Sequence, residues 1–130
     1  MKILTKPLEI AQAMPLDQIA DIVHANARSK GFHDGPDSEF LANQVNNLHS
    51  EVSELWDAYR QGMLHALCDK GAKMIEMGLP PLTCIEEEYA DIVIRVLDQC
   101  RRQNVDIVRA IMVKHHYNQS RPHMHGGRKN

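Results

Sequence analysis

The strongest constraint on the fold is a run of apolar residues at helical spacing. Leu41, Val45, Leu48, Val52, Leu55 and Tyr59 recur at steps of four and three. Such steps return to one side of an α-helix, whereas a half-buried strand alternates every second residue. Asp37 and Ser38 are suitable N-caps for this helix and Gly62 a suitable stop. The neighbouring segments carry helical punctuation as well. Pro15 suits the first helical position of a segment bearing Leu16, Ile19, Ile22 and Val23, which should stop near Gly31. Gly31 to Pro36 reads as a loop. Thr83-x-x-Glu86 has the form of a capping box, and Ile85, Tyr89, Ile92, Val93, Val96 and Cys100 supply an apolar face behind it. A further helix begins near Asp106 with Ile107, Val108, Ile111 and Met112. Arg121-Pro122 ends it, because the residue before proline disfavours helix.

Between positions 63 and 82, Gly71, Gly78, Pro80 and Pro81 interrupt the pattern, leaving a short turn of helix over Ala72 to Met77. The expected fold is one all-α domain over residues 1–130, a four-helix bundle with irregular ends at 1–14 and 123–130. Hydrophobic residues make up 43% and aromatics 5%, so its core is expected to be aliphatic.

A net charge of −2 gives no global signature of nucleic-acid binding, and no nucleic-acid partner is expected. The charge is uneven, however. Asp106 is the last acidic residue, and Lys114, Arg121, Arg128 and Lys129 follow it. Three widely spaced cysteines, Cys68, Cys84 and Cys100, fit reduced thiols, and without a Cys-x-x-Cys pair a structural zinc is not expected. Met1 and Lys2 lead to Pro7 and Glu9 rather than to a signal-like apolar run, and no stretch approaches a membrane span. A soluble, cytoplasmic protein without a membrane partner is the expectation.

Chemistry enters with two acidic pairs, Glu51-x-x-Glu54 and Glu88-x-x-Asp91, each beside an apolar stripe. Residues three apart share a helix face. One such pair is ordinary for a solvated face. Two pairs on packed helices would aim four carboxylates at one volume, which asks for a hard divalent cation with oxygen ligands, chiefly magnesium. Lys114, Asn118 and Arg121, spaced four and three apart, line another face whose donors suit phosphate oxygens. Trp56 lies close to the stripe and fits base stacking, the core or a subunit interface. His33-Asp34 sits in a Gly-bounded loop, which disfavours a His-Asp metal hydrolase. Neither acidic pair has the Glu-x-x-His form of a di-iron bundle.

Leu48 to Leu55, Glu87 to Arg95, and the end from Lys114 to Gly127 together resemble the MazG-like, all-α nucleoside triphosphate pyrophosphohydrolases. The resemblance covers residues 38–61 and 83–130. It implies metal ligation by Glu51, Glu54, Glu88 and Asp91, and substrate phosphate binding by Lys114, Asn118 and Arg121. It also implies a Mg2+ cofactor replaceable by Mn2+, a homodimer or homotetramer, and cleavage of a nucleoside triphosphate to the monophosphate and pyrophosphate. One departure stands out. The family often has Glu-Glu-x-x-Glu, and here Ser50 holds the first position. The base is then Glu51, Glu54 or a metal-bound hydroxide. A helical nucleotide-sensing or protein-interaction module without turnover is the alternative of another class.

Overall fold

The computed structural model describes residues 13–123, and those residues are all-helical. Five helices follow one another: α1 Leu16–Ser29, α2 Asp37–Arg60, the short α3 Gly71–Glu76, α4 Cys84–Arg102 and α5 Ile107–Gln119. No helix among them is long and apolar enough to cross a membrane. The irregular ends expected at 1–14 and 123–130 fall almost wholly outside the described residues.

Local backbone chemistry explains where the helices start and stop. Pro15, in extended conformation, is the N-cap of α1 rather than its first residue. Pro36 caps α2 without a side-chain bond. Asp37, expected to cap that helix, instead gives its carboxylate to Arg102 at 2.7 Å. At the other end of α2, Gly62 takes a φ of 68°, a left-handed conformation glycine adopts without steric cost. Met63 then donates back to the Ala58 carbonyl at 2.9 Å. The Thr83 capping box is complete, since Thr83 Oγ1 accepts from the Glu86 backbone and Glu86 Oε1 accepts from the Thr83 backbone. Asp106 caps α5 by accepting from the Arg109 amide.

Helix α4 is the central element and packs on both α1 and α2, while α5 rests on α1. Its basic last turn ties the other elements down. Arg101 reaches Asp17 and Asp21 of α1 at 2.9 and 2.7 Å. Arg102 donates to the His33 and Gly35 carbonyls and lies 4.2 Å from the centre of the Phe40 ring. The segment before α4 is pinned by one antiparallel bridge, Leu67 to Thr83, with Cys68 donating to the Leu82 carbonyl and Cys84 to Ala66.

The interior corrects the expected aliphatic core. Its buried apolar side chains are Ala20, Phe40, Cys68 and Leu97, whereas Gln44, Glu51, Glu87, Asp98 and Gln99 are buried polar ones. The apolar stripe of α2 faces outward. Leu41, Val45, Val52 and Tyr59 are 43–60% exposed, and only Leu48 and Leu55 are half-buried. Tyr89 and Val93 of α4 and Ile111, Met112, Val113 and Tyr117 of α5 are exposed too. A helix can hide only one face against a given neighbour, and α2 gives α4 its polar one.

The capping box sets the start of the helix on which the fold converges. Thr83→Ala is expected to destabilise the protein by about 1 kcal/mol, read as a lower urea midpoint with unchanged slope.

Candidate metal centre

Helices α2 and α4 bring both acidic pairs to one place. One carboxylate oxygen each from Glu51, Glu54 and Glu88 lies within 4.8 Å of the others. Asp91 lies beside this trio rather than within it, near enough to feel its charge. Its pKa is raised by burial and by the charges of Glu51, Glu87 and Glu54, against the opposing pull of Lys70. Glu88 is pushed up to about 7 by burial, by the charge and hydrogen bond of Glu54, and by Asp91 and Glu87. Like charges in a partly desolvated site favour a bound proton or a bound cation.

Glu51 Oε2, Glu87 Oε2 and Glu88 Oε2 are buried and meet no hydrogen-bond partner among the described residues. An orphaned buried acceptor costs about 1–3 kcal/mol, more if charged. A hard oxygen-seeking cation such as magnesium relieves several of them together, so the residues present fit that ion. Hydrogen bonding to Glu87 and burial push the Cys68 thiol up.

Glu87 was not foreseen as a site residue. It is 8% exposed, as is Glu51, and it adds a fifth carboxylate from the helix opposite Ser50. Ser50 itself lies on the exposed side of α2 and donates to the Asn46 carbonyl. Two cations were missed as well. Arg95 Nε donates to Glu51 Oε1 at 2.6 Å, and Lys70 Nζ stands 3.5 Å from Glu87 Oε1. Arg95 lies one helical turn beyond Asp91, a spacing visible in the sequence. Lys70 precedes α3 in the irregular segment, where no periodicity points to it.

Both cations line a cleft of about 580 Å³ together with Glu51, Glu54 and Asp91. Ile22, Val23 and Asn26 of α1 form another part of its wall. Lys114, Asn118 and Arg121 do not line this cleft. Lys114 and Arg121 lie over the Tyr117 ring at 4.7 and 5.9 Å, and Asn118 Oδ1 is buried without a partner among the described residues. Trp56 stacks on Tyr59 at 5.4 Å on the outward face of α2, away from the cleft. A single chain thus unites the four expected acids but not the expected basic face with them.

No family model matches this chain, and neither the curated proteins nor the solved structures include a similar one.

The Glu88 proton gives the stability of the metal-free protein a definite slope. Between about 4.5 and 7 the folded chain holds a proton that the unfolded chain releases. This contribution is therefore full below that window, falls as pH rises through it and levels off above it. Melting temperatures of the metal-free protein across the window are expected to show this decline. A divalent cation held by these carboxylates would, at a hundred times its Kd, add about 2.7 kcal/mol, with affinity rising as pH passes about 7. Glu88→Gln is expected to flatten the slope and shrink the cation's shift.

Proposed function

We propose that this chain is a magnesium-dependent nucleoside triphosphate pyrophosphohydrolase of the MazG-like kind. It cleaves a ribo- or deoxyribonucleoside triphosphate to the monophosphate and pyrophosphate, and its role is to clear unwanted nucleotides. The observation that carries this reading is the set of buried oxygens of Glu51, Glu87 and Glu88 on facing helices, unpartnered among the described residues. Glu51 lines the substrate-sized cleft, and Glu87 and Glu88 line a second cavity that shares Glu54 and Lys70 with it.

Glu51, Glu54, Glu88 and Asp91 hold the metal, with Glu87 adding charge behind them. Magnesium, or manganese in its place, would neutralise phosphate charge and make bound water more acidic. Among the carboxylates, Glu54 is best suited to take the proton of the attacking water. It lines the cleft and is exposed, whereas Arg95 already occupies one oxygen of Glu51. Arg95 and Lys70 face the same cleft and stabilise charge on the phosphates. Phosphoryl transfer needs mainly such positioning and electrostatics.

The outward apolar stripes support a homodimer or homotetramer. Extended exposed apolar surface marks an interaction face, and α2, α4 and α5 each carry exposed apolar side chains. In that assembly Lys114, Asn118 and Arg121 reach the substrate from a second copy.

The test is pyrophosphate release from a panel of nucleoside triphosphates with and without magnesium. Sustained, metal-dependent release is expected, with Glu54→Gln lowering kcat by about 10²–10⁴-fold and Asp91→Asn abolishing the metal response. Tight nucleotide binding without release in any divalent metal would instead identify a sensing module. For the assembly, light scattering should show at least a dimer, and Val52→Glu should shift it toward monomer.

A further inference from the structure

The far end of the cleft holds a second group of titratable side chains that the proposed chemistry does not use. Asp98 of α4 is 8% exposed and lines the cleft. One of its oxygens, Oδ1, meets His24 Nδ1 of α1 at 2.8 Å and His33 Nε2 of the following loop at 2.7 Å. Arg102 Nη1 lies 3.2 Å from His33 Nδ1. A guanidinium only donates, so Nδ1 must accept and the His33 proton sits on Nε2, pointing at Asp98. His24 faces the same oxygen with Nδ1 and donates to it likewise.

This pattern decides between two readings of the trio. His24, His33 and Asp98 have ligand atoms near enough to hold a metal ion. A metal on His33 Nε2, however, would have to displace the proton that Arg102 fixes there and leave the ring with no proton at all. Asp34, the other half of the His-Asp pair, is exposed, and the hydrogen bonds of the trio do not involve its side chain. The hydrogen bonds instead describe a carboxylate clamped by two imidazoles through one oxygen, with no donor to its second oxygen among the described residues.

The position of that carboxylate suggests its task. Asp91, Arg95 and Asp98 follow at helical steps of four and three, so one side of α4 carries all three along the cleft. At 1.5 Å rise per residue, Asp98 stands roughly 10 Å along the helix from Asp91. With the triphosphate at the acidic cluster, the base falls toward the Asp98 end. Phe32 and the amides of Asn26 and Gln44 also line the cleft. An aromatic ring with amide and carboxylate groups suits a heterocycle better than more phosphate.

We propose that Asp98, clamped by His24 and His33, selects substrates whose base carries an exocyclic amino group, cytosine, adenine or guanine, over uracil or thymine, which carry none. A carboxylate has acceptors and no donor. It takes the N–H of an amino group and repels the keto oxygen that uracil and thymine present in the same place. This inference rests on the nucleotide-hydrolase reading.

The experiment measures kcat/KM of the wild-type protein with magnesium for dCTP, dATP, dUTP and dTTP, alongside equilibrium binding of the same four in calcium. A preference of about tenfold or more for dCTP and dATP is expected, the worth of one hydrogen bond to a charged group. Asp98→Asn, whose amide can donate to a keto oxygen, should lower kcat/KM for dCTP and dATP and raise it for dUTP and dTTP, bringing the ratio near one or reversing it. A merely structural Asp98 would lower all four alike and leave the ratio unchanged, which overturns the inference. Equal values for the four nucleotides in the wild type overturn it too, however well the variant folds. Hydrolysis without base preference sinks only the Asp98 assignment. Base-selective binding without hydrolysis sinks only the hydrolase reading.

Discussion

Everything in this molecule is arranged around the cost of packing α2 against α4 through carboxylates. Glu51 and Glu87 are buried in that seam, and Glu88 and Asp91 are partly so, with raised proton affinity. Burying unpaired charge is among the most expensive acts in folding. The few cations nearby, Arg95 and Lys70, match only part of it. Apolar side chains could have sealed the same seam at no electrostatic cost. A chain that forgoes them holds its acids together for reasons other than stability.

The same choice governs the outside. Because the polar side of α2 points inward, its most regular apolar stripe points outward. Stability must then come from elsewhere, and α4 supplies the fastening. Arg101 binds two aspartates of α1, and Arg102 gathers the α1–α2 connection and the Phe40 ring around its guanidinium. These are contacts of one helix end to two helices. They hold the cleft's walls in place from the side opposite the acidic cluster.

Much of the secondary structure was legible because its signals are local. The Thr83 box, the Gly62 stop and the Asp106 cap depend on residues within a few positions of one another. Periodicity also placed the acidic pairs beside the stripe and brought them together. It did not tell which side of the stripe meets the rest of the chain, since spacing shows that a face is apolar and not what covers it. Asp98 and His24 are 74 residues apart, and Asp98 and His33 are 65 apart. Only the tertiary packing of α4 on α1 and the loop joins them. Glu87 was hidden in plain view within Glu86-Glu87-Glu88, where the phase of the helix decides which glutamate turns inward.

The Arg95–Glu51 pair has a further consequence for the life of the chain. A guanidinium carried on α4 already sits on the most buried acid of α2. The two helices can therefore close on each other using an internal counter-ion, without waiting for one from solution. Small domains whose ligands lack such a substitute unfold when chelated. Here the proposed ion is not needed for the two helices to meet, so under that proposal a shortage of divalent ions would idle the protein rather than dismantle it.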